Sequence, residues 1–269
     1  MRPLILLTND DGIHSPGLKA AAEAAAHLGD LLLVAPRFQQ TAMSRSLPVG
    51  PDMGIIESIP LKVDGTEMTV YGVHGSPAQA VKHAMLELAP RRPSLCISGI
   101  NYGENLGVSL TTSGTIGAAM EAAAWGIPSI AVSTETDMSL HHAAEYGELN
   151  WETAAYFTAC VTEMVLRRGL PPEIGLLNVN VPVTATRETP MRVTSQSHQS
   201  YFHSFVEGKR DFSQKFRFSY AVNVDFDTLD PNDDIYVFLR DRQVSVTPLG
   251  LDFTARLPIK TWFEQFSAG

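Results

Sequence analysis

The chain has 269 residues, 44% of them hydrophobic and 18% charged, which suffices for one large globular domain with an elaboration and a substantial core. A formal charge of −9 and a pI of about 5.3 disfavour binding to a nucleic-acid polymer, which needs a basic surplus. A small anionic ligand stays open, because a metal ion can reverse the local sign.

Taken in chain order, the apolar run LILL at 4–7 reads as a strand covered on both faces. TNDDG follows it, then Ser15-Pro16-Gly17, in which serine caps a helix and proline takes its first position. An alanine-rich helix runs to about His27, Gly29-Asp30 breaks it, and LLLVAP at 31–36 is a second buried strand. Residues 37–58 have no clear period and read as a long loop, a length more often functional than idle. TVYGV at 69–73 is a strand, and Ser76-Pro77 opens a helix with Ala78, Val81, Met85 and Leu88 on one face. LCIS at 95–98 is the next strand, 99–114 a glycine-rich loop, 115–125 a helix and SIAVS at 129–133 a strand. A helix begins near Asn150, and LLNVNV at 176–181 closes the alternating series. Alternation of this kind implies right-handed crossovers and a mostly parallel sheet covered on both faces, an α/β fold. Beyond about residue 183 the pattern changes to antiparallel hairpins over 192–248 with no helix, and TWFEQF near the end reads as a short terminal helix. The expected division is therefore 1–183 as the core and 184–269 as a smaller β-rich part.

Cys96 and Cys160 lie far apart without histidine at ligand spacing, which argues against a disulfide framework and structural zinc and fits a reducing compartment. The N-terminal apolar run is too short for a signal peptide or a membrane span, so a cytoplasmic protein without membrane attachment is expected.

In an open α/β sheet, ligands bind beyond the carboxyl ends of the strands, and here each polar, glycine-bearing loop follows a strand. Asp10 and Asp11 are adjacent carboxylates that repel, and oxygen ligands of this kind suit a hard divalent cation such as Mg²⁺ or Mn²⁺. The simpler reading is a surface turn, where Asp-Asp-Gly is common. At the end of a first buried strand a metal or phosphate site is the favoured reading. Ser113-Gly114-Thr115 stands at a helix start, where unbonded N–H groups and the helix dipole attract anions; the alternative is that Ser113 or Thr115 only caps the helix. Asn101 in GINYGENLG can offer an amide oxygen to a metal. His14 and His74 lie near strand ends, and both read more simply as loop histidines than as proton donors. No GxGxxG, GxxxxGK[ST] or GxSxG occurs, so dinucleotide binding, a P-loop and serine acyl chemistry lack support.

Six segments, in order, carry a family resemblance: NDDGIHSPG, the VAP strand end with its hydroxyl-bearing loop, SGINYGENLG, SGTIGAAMEA, LNVNVP and VSVTPLGLDFTA. Together they resemble the SurE family of stationary-phase survival proteins over residues 4 to about 255. The resemblance implies a Rossmann-like α/β/α domain with a β-rich C-terminal part that helps form homodimers or homotetramers. It also implies metal-dependent hydrolysis of nucleoside 5′- and 3′-monophosphates, with polyphosphate a substrate of some members. Transferred to this sequence, it assigns one divalent cation, Mg²⁺ or Mn²⁺, to Asp10, Asp11, Thr41 and Asn101. Asn9 and Ser113, Gly114 and Thr115 resemble the phosphate-holding groups, and Asp10 and Asp11 the catalytic pair. Thr41 stands where the family has serine, with Ser44 and Ser46 as neighbouring hydroxyls, and Gln79 in GSPAQA replaces an acid. Attack by water activated by the metal is favoured over an aspartyl-phosphate route. The rival readings are a receiver-like switching domain, about half this length with a phospho-acceptor Asp and a Lys that the later strand ends lack, and a non-catalytic nucleotide- or metal-binding protein.

Overall fold

The computed structural model describes residues 1–138 and 149–254, and its first strand, Leu4–Thr8 (β1), is buried along its whole length. The uninterrupted apolar run follows from two covered faces: Ile5 and Leu7 enter one core, Leu4 and Leu6 the other. Pro16–Ala25 forms α1, where the Ser15 hydroxyl accepts from Gly17 N at 3.2 Å and Pro16 takes the first turn. Asp30–Pro36 (β2) pairs parallel with β1.

Ile56–Val63 (β3) and Thr66–Val73 (β4) then form a hairpin. The loop expected over 37–58 thus ends earlier, at a strand that the loop reading overlooked. Its chemistry explains why: an edge strand with one solvated face alternates polar and apolar residues and tolerates Pro60. Asp64 and Gly65 at φ +45° and +80° make its two-residue turn, an Asp-Gly signal visible in the sequence.

Pro77–His83 (α2) carries a reciprocal cap between Ser76 and Gln79 and continues as a wider turn over Ala84–Leu88. Leu95–Tyr102 (β5) runs beyond LCIS to Tyr102, with a register shift between Ser98 and Asn101 against Ser129–Thr134 (β6). Gly114–Ala124 (α3) lies between these two strands in sequence, and Glu152–Arg168 (α4) leads to Leu176–Val181 (β7).

The C-terminal part is only partly the hairpins expected. Phe202–Phe205 (β9) and Ser219–Val222 (β10) do pair antiparallel. Met191–Val193 (β8) and Val244–Leu249 (β11) instead extend the main sheet, and Asp234–Leu239 (α5) is a helix. Six residues hold fewer than two turns, too few for a helical period to register in sequence. The terminal helix expected at TWFEQF lies outside the described residues.

The resulting nine-stranded sheet has the order β3-β4-β2-β1-β5-β6-β7-β11-β8 and is parallel from β4 to β7. Helices α1 and α4 contribute Leu18, Phe157 and Val161 to the core on one face. On the other, α2 and α3 supply Val81, Ala118 and Ala122. This is a Rossmann-like, three-layer α/β/α architecture. No described helix is long and apolar enough to cross a membrane.

Candidate active site

The connections reverse direction at β1. The chain moves outward from β1 to β2 and β4 on one side, and from β5 to β6 and β7 on the other. Loops leaving the carboxyl ends of β1, β2 and β5 diverge there and leave a crevice between them. These loops begin with NDDG after β1, with Arg37 after β2 and with Gly103 after β5, whose last residues GINY carry Asn101.

The acidic turn is shaped by its own residues. Asn9 Nδ2 donates to the Gly12 carbonyl at 3.0 Å, and Gly12 N donates back to Asn9 Oδ1 at 3.1 Å. Both ends of the Asn9 amide thus close the turn. Gly12 sits at φ +98°, and a Cβ there would lie 3.2 Å from the Phe38 carbonyl carbon, so glycine is required twice over. The loop after β2 crosses directly above, with Gln40 N donating to the Asp10 carbonyl at 2.6 Å.

Asp10 is only 3% exposed and Asp11 2%. Asp10 Oδ1 accepts from Thr115 Oγ1 at 2.5 Å, at the start of α3. Gly114 is glycine because a Cβ would stand 2.7 Å from the Asp10 Cβ. Burial pushes Asp10 up to about 6, against the opposing hydrogen bonds from Thr115 and from the α3 backbone at Gly114 and Thr115. Asp11 accepts from Tyr102 N at 3.3 Å and from the Gln39 side chain. Burial first, and then the Asp10 charge, hold its carboxyl well above the usual range.

Asn101, at the end of β5, donates its amide nitrogen to the carbonyls of Tyr102 and Gly103, at 3.2 and 2.6 Å. With the nitrogen so engaged, the oxygen is the amide atom that could ligate a cation. Thr41 is half-buried and follows directly on Gln40, whose amide bonds the acidic turn. Of the competing hydroxyls, Ser44 donates to the Thr111 carbonyl at 2.8 Å, whereas Ser46 Oγ is buried without a hydrogen-bond partner among the described residues, and only the Ser46 carbonyl is held, accepting from Ser76 Oγ at 2.6 Å. Ser113 caps α3, accepting from Ile116 N at 3.2 Å. His14 is exposed, and His74 is engaged with Glu57.

One supporting group went unrecognised in the sequence. Asn105 N donates to Asn180 Oδ1 at 2.7 Å, while the Asn178 and Asn180 amides donate to the Asn105 carbonyl at 2.8 and 3.1 Å. The Asn105 side chain reaches Ser133 Oγ at 2.8 Å. These bonds anchor the loop that follows Asn101 to β6 and β7. The available signal was the pair of asparagines on one face of the otherwise apolar LLNVNV.

Asp10 and Asp11 supply two buried carboxylates, and Asn101 and Thr41 on the adjoining segments carry an amide oxygen and a hydroxyl, all donor types that a hard divalent cation takes. Among the described residues no lysine, arginine or histidine forms an ion pair with Asp10, and no cluster of three or more His, Cys, Asp or Glu side chains suits a metal. A cation held here would depend on the two carboxylates together with neutral oxygens, and the residues fit that role.

Comparison with known proteins gives a consistent result. The family model described as survival protein SurE matches residues 5–203. The chain is 39% identical to the 5′-nucleotidase SurE of Thermococcus gammatolerans over 253 residues, 94% of this chain and 92% of that one. It is 41% identical to the 5′-nucleotidase SurE of Methanocella arvoryzae, covering 93% of each. The crystal structure of the SurE protein from Aquifex aeolicus is similar at a TM-score of 0.73 and 31% identity, over 97% of this chain and 100% of that chain.

Proposed function

The chain belongs to the SurE family, and on that premise we propose that it is a metal-dependent phosphomonoesterase hydrolysing nucleoside 5′- and 3′-monophosphates to nucleoside and phosphate. The observation that carries the reading is the buried Asp10–Asp11 pair at the switch point of the sheet, facing the start of α3. Two desolvated like charges are unfavourable unless a cation or protons offset them. Their retention at the switch point of the sheet supports a cation-binding role.

Asp10, Asp11, Thr41 and Asn101 would hold one Mg²⁺ or Mn²⁺. Bound there, the cation would neutralise phosphoryl charge and acidify a water. The chain's own part is positioning. Thr115 fixes Asp10, and Tyr102 and Gln39 fix Asp11, so neither carboxylate reorganises when substrate arrives. Ser113, Gly114 and Thr115, at the positive end of the α3 dipole, would hold the phosphate together with Asn9; Ser113 N itself donates to the Leu110 carbonyl at 3.1 Å, and the Gly114 and Thr115 backbones bond the Asp10 carboxylate. One aspartate orients the attacking water, a route we prefer to attack by Asp10 itself.

The proposed division keeps 1–183 as the catalytic core and 184–269 as the part that mediates a homodimer or homotetramer. Exposed Phe205, Phe212 and Phe218 around β9–β10 support that assembly. The free thiols Cys96 and Cys160 fit a cytoplasmic setting.

Phosphate release from AMP, GMP, CMP, their 3′ isomers and short polyphosphate, with Mn²⁺ or Mg²⁺ and with chelator, tests the reaction. Release that chelator and Asp10→Asn both abolish is the expected result. Release unaffected by either would refute it. An acid-stable search for phosphoenzyme would refute the water route if an aspartyl phosphate were trapped.

A further inference from the structure

The residues described above address the phosphate and a cation, and none of them addresses a nucleobase. Phe38 stands beside this site and is 58% exposed. A single exposed phenylalanine is ordinary; the support built around this one is not. The ring of His74 meets it edge-on, with centroids 5.5 Å apart and an interplanar angle of 76°. The Arg37 guanidinium lies over the ring at 4.9 Å from its centroid. Both supports are fixed by one carboxylate: Arg37 Nε donates to Glu57 Oε2 at 2.8 Å, and His74 Nε2 lies 2.7 Å from Glu57 Oε1. His74 follows the end of β4, Glu57 is on β3 and Arg37 follows β2, so neighbouring strand ends hold one aromatic ring in place.

Its placement relative to the acidic turn is equally constrained. The Phe38 backbone packs on Gly12, and two residues later Gln40 N bonds the Asp10 carbonyl at 2.6 Å. Two steps of chain span at most about 7.6 Å between Cα atoms, less than the length of a nucleoside monophosphate. A ring braced by Arg37 and His74 yet largely exposed, one nucleotide's reach from the acidic turn, is suited to serve as a stacking platform.

We infer that Phe38, braced by Arg37, His74 and Glu57, stacks on the nucleobase of the substrate. The inference rests on the nucleotidase reading and adds the base subsite to it. Stacking uses the π-face that every base has, so Phe38 favours nucleotides over base-free phosphomonoesters without selecting one base.

The test compares wild type, Phe38→Ala and Phe38→Trp on AMP and on ribose 5-phosphate, which has no base. In Phe38→Ala the KM for AMP should rise about tenfold at similar kcat, the signature of lost ground-state binding. The ratio of kcat/KM for AMP over ribose 5-phosphate should fall by the same factor, and Phe38→Trp should restore it. Equal loss on both substrates, or loss on neither, would overturn the assignment. Saturation-transfer NMR of adenosine with the metal-free protein decides the point independently of turnover. Adenosine saturation seen in wild type and Asp10→Asn but lost in Phe38→Ala supports the platform. Saturation equal in wild type and Phe38→Ala, or absent from wild type, refutes it even if phosphate is released.

Discussion

Neutralising Asp10 separates stability from activity. Asparagine keeps the volume and can still accept from Thr115 Oγ1, but it removes one of two buried like charges. Asp10→Asn should therefore stabilise the metal-free protein by about 1–3 kcal/mol while abolishing phosphate release. Calorimetry with and without Mn²⁺ checks this: the cation should raise the wild-type melting temperature and leave that of the variant nearly unchanged. Gly114→Ala acts on the same contact from the other side. Its Cβ would meet the Asp10 Cβ at 2.7 Å, so the carboxylate or α3 must shift. A displacement of that order should lower kcat/KM by about 100-fold, with little change in the far-ultraviolet circular dichroism.

Among the elements, α2 holds down the long loop in front of it. Gln79 accepts from Ser76 N at 2.9 Å, completing the cap, and donates through Nε2 to the Pro48 carbonyl at 2.8 Å. Ser76 Oγ in turn donates to the Ser46 carbonyl at 2.6 Å. An acid at position 79 would keep the cap and lose the Pro48 bond, because a carboxylate has no N–H to donate. Gln79→Glu should thus melt close to wild type yet be cut faster by protease around residues 47–53. Gln79→Ala loses both functions and should cost about 1 kcal/mol of stability by denaturant unfolding. The sequence pointed to Ser76 as a cap without showing what else Gln79 does, since Pro48 lies 31 residues away.

At the scale of the whole molecule, the C-terminal part is joined to the crevice through two buried acids. Asp234, at the start of α5, accepts from Gly107 N and Ser197 N, both at 3.0 Å, and burial pushes it up to about 6. Glu104, buried beside Tyr201, is pushed up to about 7, chiefly by burial. Each binds more protons in the folded than in the unfolded chain between its ordinary value and its raised one. Stability contributed by these groups is therefore present at low pH and lost as pH rises, from about 4 to 6 for Asp234 and from about 4.5 to 7 for Glu104, by about 3 kcal/mol each. Asp234→Asn and Glu104→Gln should each flatten the fall in melting temperature across its own window; an unchanged profile would contradict the assignment. Assembly is tested at the same scale. Phe212→Ser with Phe218→Ser should lower the mass measured by light scattering if β9–β10 forms the contact between copies.

By itself the sequence determined the α/β class, the parallel core strands, the caps at Ser15 and Ser76, and the acidic pair with its neighbours, while it left the cap of α3 open between Ser113 and Thr115. These features are local: a strand covered on both faces is mostly apolar, and at these helix starts a serine hydroxyl meets an N–H of the first turn. Asn101 was named from its glycine-rich segment and again by the family resemblance, whereas Thr41 came from the resemblance alone, since no periodicity distinguishes it from other loop residues. Only the tertiary structure decided that β3 closes the sheet's edge, that β11 enters beside β7, and that Asn105 is clamped from β7. It alone also brought Phe38, His74, Arg37 and Glu57 onto one ring and Thr115 onto Asp10, 105 residues apart in sequence. Such contacts depend on which strands become neighbours, and strand order follows from burying both faces of the whole sheet at once, a condition that no short segment carries.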